Sequence, residues 1–440
     1  TIHGICMKRL VLCIAFAFSS ISHGQEYRQK AAAALKQKDA VQALELLKKA
    51  LEINPNDSST ILQVASTLFL THHYELAAKF YEQAVELNPD HKNILYNCAT
   101  AHSKYGNFSR ALEQYEQVYC RFADDYTKGV LFKQYIRCQK WDNALKLQTP
   151  KLWWYNENIA GKTILLDCDK QGNGFGDVIQ FIRYAQILQQ AGAHVIVKTP
   201  APLQSLLQRC PYIDQVVGPH EITPACDRQY DICIASLLLK MRDLIMMKAP
   251  QRPYLFADPK LISFWKQRIP QNETLKVGLC WKSNLVRDHF TEEIVPSPRS
   301  ISLEELTPLV HKNITLYSLH KLPEAIDAPF PLIQQQDDFD GSHGRFMDTA
   351  ALMMNMDIII TVDTSIAHLA GALGKKVWLL LACESDYRWF THSQRSTLYP
   401  DMHLFRQTAY GEWGPVIAII QKKLHTHISY LSSVRPTNGE

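Results

Sequence analysis

The 440-residue chain lacks the short motifs that announce metal or redox chemistry. Its eleven cysteines include no CxxC pair, and no HExxH occurs. Zinc-ribbon, thioredoxin-like and zincin readings drop out, leaving mostly free, buried thiols of the kind kept in a reducing compartment. Excess positive charge is also missing: 47 Lys and Arg face 43 Asp and Glu, a formal net charge of +4, so no nucleic-acid partner is indicated. Long apolar runs are scarce. Leu10–Phe18, after Met7-Lys8-Arg9, is too short to span a bilayer, and no integral membrane span is expected elsewhere. With the small residues up to Gly24 it has the make-up of a secretory signal peptide. It reads equally as a lead-in helix, or as residues upstream of a start at Met7. His425-Thr-His427 reads better as a solvated helix face than as a metal pair, and no metal site is assigned. With 46% hydrophobic and 20% charged residues the composition is that of a globular protein, and the length allows about two to four domains.

From Gln25 to about Ala123 the chain repeats itself. Lys48-Lys-Ala-Leu-Glu-Ile-Asn-Pro55 recurs 34 residues later as Glu82-Gln-Ala-Val-Glu-Leu-Asn-Pro89, and Glu116–Ala123 keeps the register with Ala123 in place of proline. Ala31, Ala65 and Ala99 share the spacing, as do Ala43, Ala77 and Ala111, and Tyr74 matches Phe108. Small residues at fixed places let paired helices approach closely, and the period is that of tetratricopeptide repeats. Trp141-Asp-Asn-Ala144 marks a degenerate fourth unit over 125–148. Such a stack presents a concave face to a protein or peptide; the alternative is a spacer or dimerisation arm.

After Pro150 strands and helices alternate, which predicts parallel sheets. Thr163–Asp167 reads as a strand, Asp169–Asp177 as a glycine-rich loop, Val178–Ala191 as an amphipathic helix and Val195–Val197 as a strand. Pro202–Arg209 reads as a short helix, and Val216-Val217 and Ile232–Ile234 as strands. The loop fails as a dinucleotide fingerprint: Asp177 stands where GxGxxG needs glycine, and the second strand ends in Lys198-Thr-Pro200 without an acidic residue. Its glycines allow close approach by a bulky polar ligand, and Asp177 at the helix start is placed either to cap the helix or to act as a base. Pro250, Pro253 and Pro259 mark a hinge, after which a second α/β unit opens with the strand Lys276–Trp281.

The most informative stretch runs from Met356 to Leu381. Ile358–Val362 and Val377–Leu381 are buried strands, Asp363-Thr-Ser365 is a polar turn, Ile366–Leu373 a short helix and Gly374 its stop. A strand–turn–helix of this kind aims backbone N–H groups and the positive helix end out of the carboxyl edge of a sheet, a ready-made site for a phosphate or diphosphate. His368 lies one turn into that helix. The plainer alternative is that Asp363 only caps the helix and His368 is a core or surface residue.

Gly174-Phe-Gly-Asp177 with Gln180-Phe181 and Arg183-Tyr184, Trp281 with its polar loop, Arg299-Ser-Ile301, Asp363–His368, Asp386–Trp389 and Leu404–Gln407 together resemble one family. It is that of bacterial tetratricopeptide-repeat proteins carrying a glycosyltransferase family 9-like (heptosyltransferase-like) domain, related in architecture to protein O-linked N-acetylglucosamine transferases. The resemblance covers nearly all of the chain after about residue 25. It implies helical repeats followed by a GT-B fold of two Rossmann-like α/β domains, with metal-independent, inverting transfer of a hexosyl or heptosyl group. The donor is a nucleotide sugar, ADP- or UDP-linked, with no other cofactor. By resemblance the Gly174-Phe175-Gly176 loop lies on the acceptor side and Asp177 is the general base. Trp281, Lys282, Ser283 and Asn284 line the donor pocket, and Asp363, Thr364, Ser365 and His368 hold the diphosphate. Lys282, Arg299 and the N–H groups of residues 364–366 offer the positive potential that the leaving group needs. Ser365 departs from the family, which usually has glycine there.

The expected organisation is a signal peptide or lead-in over 1–24, repeats over 25–150, an acceptor-side domain over 151–262 and a nucleotide-sugar domain over 263–440. Two functions follow: a glycosyltransferase whose repeats recruit a protein or glycan acceptor, or a non-catalytic scaffold with a degenerate GT-B domain. Nucleotide sugars are made in the cytoplasm. With the free thiols this places the chain there, or outside if Met7–Gly24 is a true signal.

Overall fold

The computed structural model describes residues 23–147, 158–168, 174–231, 253–287, 293–321, 324–335, 338–390 and 393–434. The run Leu10–Phe18, most of the glycine-rich loop (169–173) and the strand expected at Ile232–Ile234 lie outside these. The fold class is the expected one: helical repeats, then α/β structure with parallel sheets. Two compact units result. One takes in the chain to Leu147 with the segments Leu285–Val295 and Asp386–Thr391; the other joins Gln148–Asn284, Pro296–Ser385 and His392–Glu440.

In the first unit a helix over 23–36 is followed by Ala40–Ile53, Ser58–Leu70, Tyr74–Leu87, Lys92–Lys104, Phe108–Phe122, Asp125–Arg137 and Trp141–Leu147. Short polar residues start several of them. Asp39, Asp57, Asn107 and Asp124 each accept the N–H three residues on, so orphan donors of the first turn are met locally. The repeating alanines sit where helices touch: Ala65, Ala99, Ala43, Ala77 and Ala111 are fully buried. The third unit ends differently from the first two. Ala123 adopts a left-handed conformation, φ 46°, which proline cannot reach.

In the second unit, strands β1 (Thr163–Asp167), β2 (His194–Lys198), β3 (Gln215–Val217) and β4 (Arg228–Asp231) form a parallel sheet in the order β3-β2-β1-β4. Strands β5 (Leu275–Cys280), β8 (Ile314–Ser318), β9 (Ile358–Val362), β10 (Val377–Leu381) and β11 (Met402–Arg406) form the other, in the order β11-β10-β9-β5-β8. The short strands β6 (Leu285–Arg287) and β7 (Ile294–Pro296), which fall almost entirely in the first unit, pair with each other. Every residue of β9 and β10 is buried, as their unbroken apolar runs predict. The last helix, Gly414–Val434, adds Val416, Ile417, Ile420, Leu424 and Ile428 to the core of the second sheet. His425 and His427 lie on this helix, with His425 exposed. Among the described residues no helix is long and apolar enough to cross a membrane. The described cysteines are all free, four of them buried, two half-buried and two exposed.

One helix departs from expectation. Instead of a single Val178–Ala191 helix there is Phe175–Phe181, a tighter turn at Ile182–Tyr184, and Ala185–Gln190. The apolar face does begin at Val178. The helix starts three residues earlier because Asp177 reaches back to the Gly174 N–H and stabilises a polar first turn.

Candidate functional site

In the second sheet β5 comes first along the chain, its successor β8 lies on one side, and β9 lies on the other. Strand order therefore reverses between β5 and β9, and the crevice beyond their carboxyl ends is where open α/β sheets take ligands. Most of the residues expected at the site gather around it.

Strand β9 delivers Asp363, which is 5% exposed. Thr364, not Asp363, caps the following helix, Ser365–Ala372: its Oγ1 accepts from the Ile366 N–H at 3.2 Å. Of the donors expected at residues 364–366, the Ile366 N–H is thus already engaged. The Arg299 guanidinium reaches this turn. It donates from Nη1 to the Asp363 carbonyl at 3.2 Å and lies 3.8 Å from the Asp363 carboxylate, while remaining 42% exposed. The loop carrying Arg299 is laid along the end of β5, where the Ile301 N–H donates to Trp281 O and the Ser283 N–H to Ser300 Oγ.

Strand β5 ends at Cys280, and the side chain of the next residue, Trp281, is only 1% exposed and belongs to the apolar core of the sheet. Trp281 offers the edge its backbone, while Lys282 and Asn284 are exposed and Ser283 is half-buried. Beneath the edge the Cys280 thiol meets Thr364 Oγ1 at 3.7 Å, and burial pushes it up to about 11.

His320, at the end of β8, was not anticipated. Its Nε2 accepts from the N–H groups of Trp281 at 3.1 Å and Lys282 at 3.3 Å, and its ring meets the Trp281 ring edge-on at 4.2 Å. Burial, with Lys282 beside it, lowers its pKa to about 4. The signal was available, because His320 directly follows an apolar strand on the side of the sheet where ligands bind.

From the first sheet comes the start of the Phe175–Phe181 helix. A Cβ on Gly176 would stand 2.9 Å from His368 Cδ2 and 3.6 Å from Ser365 Cα. Gly176 therefore makes room for His368 rather than for a ligand, which corrects the expectation for that glycine. The contact brings the start of this helix against the Ser365–Ala372 helix. Asp177 is half-buried, and its Oδ2 accepts from the Gly174 N–H at 2.9 Å, so of the two roles left open the capping one is visible. His368 is 2% exposed, with Nδ1 2.9 Å from the Tyr399 hydroxyl. Phe175 meets Phe346 edge-on at 5.7 Å, and the exposed Arg345 guanidinium lies over both rings.

The fold thus defines a class: tetratricopeptide-type repeats joined to an α/β unit of two parallel sheets with a built crevice in the second. The tetratricopeptide repeat family matches residues 59–91, so the repeats are of that type. Protein FlbA of Caulobacter vibrioides is 22% identical over 447 residues, covering 87% of this chain and 70% of that one. A glycosyl transferase family 9 structure from Veillonella parvula aligns at 10% identity over 62% of this chain and 98% of its own, with a TM-score of 0.42. The N-terminal domain of stress-induced protein-1 from C. elegans aligns with 27% of this chain and 97% of its own, at 20% identity and a TM-score of 0.25.

Proposed function

We propose that the α/β unit is a glycosyltransferase that moves a sugar from a nucleotide-sugar donor to a hydroxyl of a protein or glycan, and that the repeats recruit the acceptor or a partner. The observation that carries this reading is the convergence at the β5/β9 crevice. Arg299, the Thr364–Ser365 helix end and His368 sit on the second sheet, and Gly176, the residue before Asp177, comes up against His368 and Ser365 from the first.

Glycosyl transfer needs positive potential on the departing diphosphate and a base for the attacking hydroxyl. Arg299, Lys282 and the helix-end N–H groups supply the first, and Asp177 the second. A carboxylate has about four lone-pair sites, so Asp177 can hold the Gly174 N–H and still take a hydroxyl proton. The reading needs no cofactor beyond an ADP- or UDP-linked donor. It places the chain in the cytoplasm, where such donors are made.

The test is thermal shift of the full chain against ADP-, UDP-, GDP- and TDP-sugars. A binding donor at about 100 times its Kd adds about 2.7 kcal/mol to stability. The expected outcome is a rise with one nucleotide that is lost in Arg299→Ala. No rise with any of them overturns the proposal. The engagement of Asp177 Oδ2 with Gly174 favours a second reading, a scaffold that binds the donor without turnover. Donor hydrolysis separates the two: release of nucleoside diphosphate that Asp177→Asn abolishes, with donor binding intact, supports the enzyme.

A further inference from the structure

His320 stands at the end of β8 and supports the end of β5. Its backbone N–H donates to Ser318 Oγ at 3.2 Å, and its ring is set edge-on against the buried Trp281 ring. Nε2 accepts from the N–H groups of Trp281 and Lys282, and the next N–H, that of Ser283, goes to Ser300 Oγ. The three backbone donors of the turn after β5 are therefore all taken by side chains. What the turn cannot offer a ligand, the ring can. Two donors aimed at Nε2 require a lone pair there, and a neutral imidazole then carries its hydrogen on Nδ1. Among the described residues Nδ1 has no acceptor, and the half-buried ring does not seal it from water. His320 thus presents one N–H at the carboxyl edge of the sheet, with Lys282 beside it.

The place of this N–H on the sheet limits what it meets. β5 lies between β8 and β9, so two strand spacings, about 10 Å, separate the end of β8 from the end of β9, where the Ser365–Ala372 helix begins. A diphosphate held by Arg299 and the helix end is too short to reach His320, whereas the nucleoside attached to it covers the distance. In Rossmann-type units the end of the second strand holds the ribose through an acidic side chain. β8 is the second strand of this sheet along the chain, and the residue at its end gives a hydrogen instead of accepting one.

We infer that His320 is a specificity-determining residue of the crevice: fixed as its Nδ1–H tautomer, it donates a hydrogen bond to an oxygen of a bound nucleoside, either a ribose hydroxyl or a base carbonyl. That a nucleotide enters the crevice rests on the transferase reading; the tautomer does not.

The experiment is nitrogen-15 imidazole NMR of the full chain, with the His320 signals assigned by their loss in His320→Asn. In the free chain the expected pattern is a protonated Nδ1 and a pyridine-like Nε2, and a protonated Nε2 overturns the inference. Of ADP, UDP and GDP, the one that raises the thermal midpoint is expected to shift the Nδ1 signal, while inorganic pyrophosphate leaves it in place. If the 2′-deoxy form of that nucleotide no longer shifts the signal, the partner is the ribose; if both forms shift it alike, the partner is the base. His320→Leu is expected to weaken nucleotide binding about tenfold with pyrophosphate binding unchanged, and His320→Asn, which keeps an acceptor oxygen and an N–H, to stay within about threefold of the native chain. A residue that only shapes the turn would weaken both ligands alike, and that result overturns the inference. So does a bound nucleotide that leaves the Nδ1 signal unmoved, in which case the transferase reading stands. If a nucleoside diphosphate binds and shifts His320 but no nucleotide sugar is consumed, the transferase reading fails and the assignment of His320 stands. Binding by none of the three overturns both.

Discussion

Ala43, Ala77 and Ala111 in the repeats and Trp281, Ile360 and Leu380 at the second sheet are all 2% exposed or less, and they are buried for opposite reasons. In the repeats the helices close on one another because the contact residues are small, and the same contact recurs along the stack. At the sheet the layers are held apart by large side chains that fill the space between strands and covering helices. One region is limited by what it cannot accommodate, the other by what it cannot lose. Function follows this division. The filled sheet supplies the rigid edge that fixes Arg299, Asp363 and His320.

The strongest way to break the contrast is to exchange the two kinds of residue. Trp281→Ala empties a site against β5 and is expected to cost about 3–5 kcal/mol, with the polar edge built on its backbone lost as well. In the repeats the damaging change runs the other way: Ala77→Leu forces two helices apart and costs about 1–3 kcal/mol. Urea unfolding followed by circular dichroism measures both. A mild Trp281→Ala, or an Ala77→Leu without cost, would remove the distinction.

Two histidines sharpen it next. His102 in the repeats lies 3.2 Å from the Glu82 carboxylate. Burial lowers its pKa while that carboxylate opposes the shift. His320 at the sheet edge meets two backbone N–H donors instead, and burial and Lys282 act in the same direction to bring it to about 4. Since its folded pKa lies below the unfolded value of about 6.5, its contribution is fully present above pH 6.5 and is lost as pH falls toward 4. The full loss is about 2 kcal/mol, less than the whole shift because part of the ring meets water. Unfolding midpoints measured between pH 7 and 4, with the adjacent Trp281 as fluorophore, are expected to fall in the native chain. In His320→Asn, whose amide oxygen still accepts the two N–H groups, they should fall less.

The fold was legible wherever its cause is local in sequence. The repeats show in the spacing of Ala31, Ala65 and Ala99, because each contact is remade every 34 residues. The strands Thr163–Asp167, Ile358–Val362 and Val377–Leu381 match the apolar runs residue for residue, because burial on both faces leaves no other composition. Helix starts were less legible. At Phe175 and Ser365 the first turn is set by a side chain bonding to the backbone, ahead of the apolar face that marks the helix in sequence. The site was legible in its parts and not in its wiring. Asp363, Thr364 and Arg299 could be picked out and do meet. The link from Arg183 through Tyr254 and Tyr399 to His368 spans more than two hundred positions and follows no period.

The smallest effect comes from one substitution made in both regions. Gly129 lies inside the Asp125–Arg137 helix of the repeats, exposed, and a Cβ there would meet nothing within 4 Å. Gly371 lies inside the Ser365–Ala372 helix, where a Cβ would stand 2.4 Å from the Tyr399 ring. Helix propensity favours alanine over glycine equally at both places, by about 0.5–1 kcal/mol. Gly129→Ala should gain that amount and raise the thermal midpoint. Gly371→Ala should lose about 1–3 kcal/mol instead, because the ring it would displace is held by Arg183 and His368 and cannot swing aside. A gain at both sites would mean that the Tyr399 ring moves freely in spite of its contacts with Arg183 and His368.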